Sequence, residues 1–589
     1  MRMIGNNALS LYTLVCAYAL VLSNQHVSSF QVHKFVPSKH SNSRRRAQRI
    51  VRLGMAGING DASAAINGNN NADFGTNDVM DVMICGAGPG GLLLASHLAT
   101  RGCKVGVVDP ILDKPWPNNY GVWMDEANFF GYEDCVSPVW KEAGVIFDED
   151  TPELILNRPY GRVDRKAMKN RLMKECEATG NVRFMVGKAT DVEHSDDGPS
   201  TVRTISSDGA EETVKALLVA DATGFARKFV KHDTIFDPGY QVTYGALCRV
   251  KDLGPYTLDR MVLMDYSERH LHPYPQLRAN NDRFPTFVYV MPLAEDLLFM
   301  EETVLVSRPG ASSKDLQERL EKRMDALGIE VIEVLEDERA AIPMGGMDPV
   351  VPQRTLGFGA TSSLVHPASG YMVARAMEIA PRVADSIAPK LVELRKSMET
   401  GNKSIQKGQL DDIAAAGWDA VWPTDDRRQR DFMHFGFELL CLLNPQELRD
   451  FFTGFFRLPN GLWEHFLSWR LSGVGHVVMG LKVWAECIPK RFMLPMLLKS
   501  IPFVPTRLVG PLLSRGNFAP IDTSSVYADA RSGNSTIWEP EPFYKYIDEL
   551  SEKNYPKPGQ EDATEPTNGD TSSPKQSAKL EEKEEVSHV

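Results

Sequence analysis

Acidic residues are absent from the first 60 positions of the 589-residue chain, although eight Lys or Arg fall there. An apolar run over residues 8–22 follows Arg2 and is too short to span a bilayer comfortably, and small residues follow at Val27, Ser28 and Ser29. Residues 30–60 are rich in Ser and Arg, which is typical of transit peptides. We therefore predict a signal peptide joined to a transit peptide over residues 1–60, as in proteins sent into plastids bounded by extra membranes; plain secretion is the alternative.

Cysteine is scarce and dispersed, with eight residues and no Cys-x-x-Cys pair. This usage argues against a disulfide framework and a zinc site, so we predict a reduced compartment and no bound metal. Basic residues are also outnumbered, since beyond residue 60 the chain carries 57 Lys and Arg and 77 Asp and Glu. An acidic protein of this kind is not a nucleic-acid binder by charge.

Two segments have too few large apolar side chains to bury a core. Residues 61–80 are predicted to be a linker, and residues 551–589 a disordered acidic tail. Between them we predict a cofactor-binding lobe interleaved with a substrate-binding lobe over residues 81–400, followed by a helical extension over residues 401–550.

A glycine motif follows the apolar run that begins at Asp81, and it predicts a strand, a tight turn, a helix and a second strand ending in an acid. Gly86 permits the turn, Gly88 lets backbone N–H groups approach a pyrophosphate, and Gly91 allows close packing of helix on strand. Asp109 is placed to accept the hydroxyl groups of an adenosine ribose. The motif predicts a dinucleotide site but does not separate FAD from NAD.

Two later segments resemble further parts of a cofactor site. A buried strand is predicted to end in Asp221-Ala-Thr-Gly224, and a short strand at Leu356 is predicted to run into a helix start, with Gly357, Gly359, His366 and Gly370. Strand ends bring backbone amides toward a ligand at the carboxyl edge of an open sheet. Three such segments favour FAD, and they predict a two-lobed α/β fold of the Rossmann type, as in flavin hydroxylases and reductases, with a substrate-lobe sheet.

A set of further motifs resembles the plant-type lycopene cyclases, in the same order and at matching places from about Asp81 to about Pro502. The motifs are Trp116-Pro-Asn-Asn-Tyr-Gly-Val-Trp123-Met-Asp125-Glu126, Arg158-Pro-Tyr-Gly-Arg162-Val-Asp-Arg165, Pro238-Gly-Tyr-Gln-Val-Thr-Tyr-Gly245, Phe299-Met-Glu301-Glu302-Thr303, Ile342-Pro-Met-Gly-Gly346 and Trp422-Pro to Arg428-Gln-Arg430. The resemblance implies FAD in its reduced form, NADPH or NADH as reductant, and a lipid-dissolved C40 polyene.

Closing the end group of such a polyene into a ring needs a proton delivered, a carbocation held away from water, and another proton removed. Two apolar runs joined by Ala294-Glu-Asp predict a hairpin that carries adjacent glutamates, Glu301 and Glu302, on opposite faces. The resemblance implies that Glu301 is the essential carboxylate, and Glu302 beside it is the second catalytic candidate. Burial would keep Glu301 protonated. Solvated strand residues are the alternative for both glutamates.

Reduced flavin would stabilise the cation through its negative charge, which explains a cofactor in a reaction without net redox change. Arg165 and Arg162 stand where related flavoproteins place a flavin-contacting Arg, although Arg162 also suits a structural salt bridge. His366 is predicted near the flavin, with a structural role as the alternative. Aromatic side chains could line the polyene tunnel or belong to the core, and these are Trp116, Tyr120 and Trp123.

After Asp425 the chain becomes rich in Phe and Leu. Apolar residues between Val477 and Ile488 follow a helical stripe, with a further apolar patch up to Leu498. The segment is too short of uninterrupted apolar residues to span a bilayer, so it predicts either peripheral contact with a plastid membrane or a helical cap on the lobes.

The resemblance thus implies a lycopene β-cyclase activity. Three alternatives stay open: an ε-cyclase or a paralogue that rearranges carotenoid epoxides, a flavin monooxygenase or prenyl reductase, and a non-catalytic carotenoid-binding protein. The oligomeric state is left open as well.

Overall fold

The computed structural model describes residues 78–206, 208–232, 239–308, 310–344, 348–401, 404–484 and 490–504. The predictions for the presequence, the linker up to residue 77 and the acidic tail lie outside the described residues.

The described residues form sixteen strands and twelve α-helices. The strands are β1 (Met80–Cys85), β2 (Val105–Asp109), β3 (Gly121–Trp123), β4 (Val136–Trp140), β5 (Glu142–Ile146), β6 (Leu154–Leu156), β7 (Tyr160–Val163), β8 (Val182–Glu193), β9 (Ser200–Ser206), β10 (Glu211–Asp221), β11 (Gly239–Val250), β12 (Arg260–Asp265), β13 (Thr286–Ala294), β14 (Leu297–Val304), β15 (Val331–Met344) and β16 (Thr355–Gly357). The helices are α1 (Pro89–Ala99), α2 (Met124–Phe130), α3 (Arg165–Glu177), α4 (Pro275–Arg283), α5 (Ser313–Ala326), α6 (Val373–Glu399), α7 (Gln409–Val421), α8 (Thr424–Leu440), α9 (Pro445–Phe456), α10 (Asn460–Leu467), α11 (Gly473–Lys482) and α12 (Lys490–Ser500).

The first sheet is the predicted Rossmann-type sheet. Its parallel strands stand in the order β8-β2-β1-β10-β16, and β9 pairs antiparallel with the outer halves of β8 and β10. β1 is buried along its whole length, as expected of a strand covered on both faces. Helix α1 starts at Pro89, which has no N–H to leave unpaired at this position. The predicted strand, turn, helix and strand unit is confirmed.

The second sheet has seven strands in the order β15-β11-β14-β13-β12-β5-β6 and is antiparallel except between β12 and β5. β13 and β14 pair as the predicted hairpin. A small third sheet, β3-β7-β4, carries three fully buried aromatic side chains, Trp123, Trp140 and Tyr160. The predicted α/β architecture with two lobes is confirmed.

Helix α6, of 27 residues, precedes the predicted helical extension and packs against α1 and α7. Its buried residues are almost all apolar, and it also contacts β1 of the Rossmann sheet. Helices α9 and α10 bury a cluster of aromatic rings that includes Phe452, Phe455 and Trp463. Across the part of the chain that the structure describes, no helix combines the length and apolarity needed to cross a membrane.

Candidate active site

Of the three motif glycines in the turn after β1, Gly88 leaves room for a ligand, whereas Gly86 and Gly91 are in close contact with the backbone. Gly86 has φ +111°, and a Cβ there would overlap the carbonyl oxygen of Ala222. A Cβ at Gly91 would overlap the carbonyl oxygen of Gly86, so helix and turn are in direct contact. At Gly88, by contrast, nothing lies within 4 Å of the Cβ position, at the N-terminus of α1. This open space beside backbone N–H groups fits the pyrophosphate of a dinucleotide.

Asp109 and Asp221 shape the edge of the Rossmann sheet with their carboxylates. Asp109 accepts hydrogen bonds from the N–H groups of Ala87 (2.7 Å) and Ile111 (2.8 Å). Burial raises the pKa of Asp109, and these two hydrogen bonds oppose the rise. Asp109 therefore fixes the glycine turn against the end of β2, where a ribose would lie.

Asp221, the last residue of β10, is hydrogen-bonded in a similar way. Its carboxylate accepts hydrogen bonds from the N–H groups of Thr223 (3.0 Å), Phe229 (2.7 Å) and Val230 (3.1 Å). The turn presents Gly224, which has nothing within 4 Å of its Cβ position. The side chain of Asp221 thus organises the loop, and the open space lies at the glycine.

The third predicted segment meets the second through β10 and β16. The N–H of Phe358 donates to the carbonyl oxygen of Asp221 (2.9 Å), which brings Gly359 to the same sheet edge. Gly357 packs against the ring of Trp418, whose Cη2 would lie 2.9 Å from an added Cβ, and a Cβ at Gly370 would overlap the Gln241 side chain. All three predicted cofactor segments therefore converge on one edge, where Gly88 and Gly224 border open space and a Cβ at Gly359 would meet the sulfur of Met372 at 3.7 Å.

Trp116 lies against the glycine turn. Its indole N–H donates to the carbonyl oxygen of Ala87 (2.8 Å), and its side chain is 3% exposed. Arg165 holds the same segment, because its Nη1 donates to the carbonyl oxygens of Trp116 (3.1 Å) and Pro117 (2.8 Å), while Nη2 pairs with both oxygens of Glu336 (3.0 and 2.8 Å). Arg165 is thus bound within the protein, and its contact with a flavin stays a prediction.

The other end of this segment reaches the second sheet. The N–H of Asn119 donates to both carboxylate oxygens of Glu338 on β15 (3.1 and 3.0 Å). Arg162 in turn donates from Nε to the side-chain oxygen of Asn119 (2.6 Å). Residues 116–119 therefore connect the glycine turn to the substrate-lobe sheet.

A row of residues crosses four strands of the second sheet. Glu338 on β15 stands opposite Gly245 on β11, Gly245 stands opposite Glu301 on β14, and Glu301 stands opposite Tyr289 on β13. Directly opposed residues of antiparallel strands share one face, so Glu301, Glu338 and Tyr289 project to the same side. Tyr160 approaches from the third sheet, with its ring centroid 6.4 Å from that of Tyr289.

Glu301 is in surroundings that favour a protonated carboxyl group. Burial raises its pKa well above the ordinary value, and the nearby charge of Glu338 raises it further. Among the described residues no cation pairs with Glu301, and its other electrostatic neighbours are the phenol groups of Tyr160 and Tyr289. A carboxyl group that keeps its proton beside aromatic rings can act as a general acid.

Glu302 points to the other face and has the opposite environment. Arg323 donates to its two oxygens from Nε (2.8 Å) and Nη2 (3.1 Å), and the hydroxyl of Thr286 donates to Oε1 (2.5 Å). Burial alone would raise the pKa of Glu302, but the charge and hydrogen bonds of Arg323 hold it below its ordinary value. Glu302 is therefore an ionised structural residue that cannot donate a proton, which corrects the prediction of a catalytic role for it.

His366 is fully buried and has no ring nitrogen left for a cofactor. Nε2 is 3.1 Å from the carbonyl oxygen of Phe466, and Nδ1 accepts the N–H of Ala368 at 3.1 Å. Its ring packs edge-on against Phe466 and Trp469. Burial lowers the pKa of His366 to about 3, so the ring is neutral. This arrangement supports the structural alternative and corrects the prediction of a flavin contact.

The predicted substrate aromatics have different surroundings. Trp123 is fully buried between Tyr160, at a centroid distance of 4.8 Å, and the guanidinium of Arg158, 4.5 Å from the ring centroid. Tyr120 is half-buried and meets Trp116 edge-on at 6.4 Å. Only Tyr120 has a partly accessible side chain, and a substrate contact for all three stays a prediction.

A family model described as lycopene cyclase protein matches residues 81–497. The chain belongs to the lycopene cyclase family. It is 42% identical over 414 residues to a chloroplastic lycopene beta cyclase of Arabidopsis thaliana, an alignment that covers 70% of this chain and 79% of the relative. It is 44% identical over 393 residues to a chromoplastic capsanthin/capsorubin synthase of Citrus sinensis, covering 67% and 74%.

A solved structure shares the fold of this lycopene cyclase family member. A geranylgeranyl bacteriochlorophyll reductase-like protein of Thermoplasma acidophilum superposes with a TM-score of 0.50 and 15% identity, covering 70% of this chain and 98% of that chain. The two-lobed fold is therefore shared with a solved structure.

Sequence reasoning missed Glu338 and Gly245 as residues of the site. Glu338 lies in a stretch of charged residues that is typical of a solvated edge strand. A glycine inside a strand marks a close approach of another group, and Gly245 ends the Pro238 to Gly245 motif, so it was the available signal. Only the pairing of β14 and β15 on either side of β11 connects the two glutamates in this lycopene cyclase family member.

Proposed function

We propose that this protein is a lycopene β-cyclase, which converts the ψ end groups of lycopene to β rings without net redox change. The observation that carries the proposal is Glu301, a carboxyl group that favours its protonated form and faces Tyr160 and Tyr289 in a chain of the lycopene cyclase family. Glu301 would protonate the terminal alkene, and the neighbouring double bond would then attack the tertiary cation to close the ring.

The chain's own residues would protect that cation. Aromatic faces stabilise positive charge and exclude water, and Tyr160 and Tyr289 stand beside Glu301. Glu302 and Arg323 would serve by fixing the strand that presents Glu301. A flavin monooxygenase would have no use for such a proton donor.

FAD is the cofactor that the converging glycine segments would hold. Gly88 would admit the pyrophosphate, Asp109 would lie beside the ribose, and Gly224 and Gly359 would border the rest of the group. When reduced by NADPH or NADH, FAD supplies negative charge that stabilises a nearby cation.

The substrate is dissolved in lipid, so we also propose peripheral contact with a plastid membrane. Leu494, Leu498 and Ile501 lie at helical spacing near the end of α12 and are 60%, 52% and 49% exposed. Such an apolar face suits insertion into the membrane interface. The stripe predicted before it is only partly described: Leu481 and Trp484 are half-buried, and the latter donates to the carbonyl oxygen of Met493 (3.4 Å).

Expression in bacteria that accumulate lycopene, followed by pigment chromatography, tests the function. The wild-type chain should produce γ-carotene and β-carotene, and Glu301→Gln should leave lycopene unconverted. With purified protein, anaerobic assays should show turnover only after the flavin is reduced. Unchanged lycopene in cells that contain soluble, flavin-loaded wild-type protein would reject the proposal.

A second candidate is the rearrangement of carotenoid epoxides, which uses the same acid and cation chemistry. The similarity to the capsanthin/capsorubin synthase is the observation that favours it. Supplying an epoxide carotenoid in place of lycopene distinguishes the two, since only one substrate class should be consumed.

A further inference from the structure

Gly245 lies between two glutamates, and because it has no side chain it leaves a gap in which their side chains can meet. Strand β11 pairs with β14 on one side and β15 on the other, and the register sets Glu301 and Glu338 opposite the same glycine. Two strand spacings put their Cα atoms about 10 Å apart, a gap that two glutamate side chains can cover from both sides. A Cβ on Gly245 would lie 3.5 Å from the Cβ of Glu301 and 2.9 Å from Cζ of Phe299, so a larger residue would fill this gap.

The two carboxyl groups differ in their surroundings. Both oxygens of Glu338 accept the N–H of Asn119, and the charges of Arg165 and Arg162 act on Glu338 as well. Burial raises the pKa of Glu338 to about 7, and these donors and cations limit the rise. Glu301 has no such donor or cation among the described residues. Of the two, Glu338 is therefore the better place for a negative charge and Glu301 the better place for a proton.

We propose that Glu338 is a second catalytic carboxyl group, which shares one proton with Glu301 across Gly245. The proposal rests on the cyclase function proposed above. Glu301 gives its proton to the terminal alkene as the new carbon–carbon bond forms, which leaves a ring cation and ionised Glu301. Ionised Glu338 then removes a proton from the carbon beside the cation, and the ring double bond forms. Transfer of that proton from Glu338 back to Glu301 restores the starting state, so no other acid, base or oxidant is consumed.

The pH profile of Glu338→Gln tests this role. A pair that works with one proton gives a bell-shaped profile, with an acidic limb from the base and an alkaline limb from the acid. The variant should lose roughly 10²-fold in rate and lose the acidic limb. Its alkaline limb should move to lower pH, because the neighbouring charge that raises the pKa of Glu301 is gone. Glu333→Gln, the same change at an exposed position of β15, should keep the wild-type profile.

A wild-type rate with both limbs in Glu338→Gln would overturn the proposal. If that variant fails to fold, as judged by thermal unfolding, then Glu338→Asp decides: it should retain both limbs at a reduced rate, and loss of its acidic limb would overturn the proposal. Wild-type protein that converts no lycopene would reject the function instead. In that case infrared titration would still report the shared proton, because the midpoint of the carboxyl band should shift in both Glu301→Gln and Glu338→Gln, and an unchanged midpoint in either would refute the pair.

Discussion

Replacing Arg323 by Met should destabilise the protein strongly and reverse its response to acid. The guanidinium is 2% exposed and holds the carboxylate of Glu302, which is fully buried, and Nη1 donates to the carbonyl oxygen of Ser267 (2.8 Å). Met fills much of the same volume but leaves a buried charge unpaired. Removing one partner of a buried ion pair costs about 3–5 kcal/mol in the free energy of unfolding.

The direction of the pH effect follows from the pKa of Glu302. In the wild type this pKa is lowered on folding, so the stability that Glu302 contributes is present above the unfolded pKa of about 4.3 and is lost as the pH falls through the folded value. Without Arg323, burial raises the folded pKa above the unfolded one. The variant should therefore be most stable below about pH 4.3 and lose roughly 1.4 kcal/mol of stability for each pH unit between the unfolded and the folded pKa.

Urea unfolding at pH 5.5 and pH 7.5, followed by tryptophan fluorescence on protein with equal flavin content, measures both effects. The difference in the free energy of unfolding between wild type and variant should be smaller at the lower pH. A double variant, Arg323→Met with Glu302→Met, should recover most of the loss because both charges are gone. A loss below about 1 kcal/mol, or an equal gap at both pH values, would refute the interpretation of Glu302 as the ionised structural glutamate.

Three further outcomes follow from the described contacts. Gly91→Ala should yield little folded protein, because the added Cβ would overlap the glycine turn, whereas Gly88→Ala should fold and lose flavin more readily; flavin fluorescence after gel filtration distinguishes them. Leu494→Asp with Leu498→Asp should weaken liposome binding at least roughly tenfold at unchanged Tm, since each apolar side chain withdrawn from lipid forfeits about 1.5–3 kcal/mol; flotation with liposomes at wild-type levels would contradict this. His366→Ala should retain flavin, and its free energy of unfolding should fall by about 3 kcal/mol, as measured by thermal unfolding. Flavin loss at unchanged stability would instead indicate that His366 contacts the cofactor.

The cofactor half of the site could be predicted because its signals are local. The turn between β1 and α1 needs glycine at Gly86 for its positive φ and at Gly91 for contact with the turn, so the residue types alone predict the geometry. The hairpin of β13 and β14 was predictable for the same reason, since a period of two places Glu301 and Glu302 on opposite faces.

The rest depends on contacts between residues distant along the chain. Nothing near Glu338 distinguishes it from its acidic neighbours until β15 is paired with β11. His366 suggested a ligand because histidine often is one, but the carbonyl oxygen that meets its Nε2 comes from Phe466, 100 residues later. The predicted helical stripe is described only in part, because α11 ends at Lys482 and residues 485–489 lie outside the described residues. Tertiary contacts, which leave no local pattern in the sequence, determine the role of each of these residues.

The short segment from Trp116 to Asn119 has a thermodynamic consequence. It is hydrogen-bonded at one end to Ala87 in the glycine turn and at the other to Glu338, so a ligand that tightens the turn also changes how firmly Asn119 donates to the carboxylate. Coupling between two sites is reciprocal. The protonation of the substrate-lobe glutamates should therefore alter the affinity for the dinucleotide, and the dissociation constant of the cofactor should itself vary with pH, in the absence of any carotenoid.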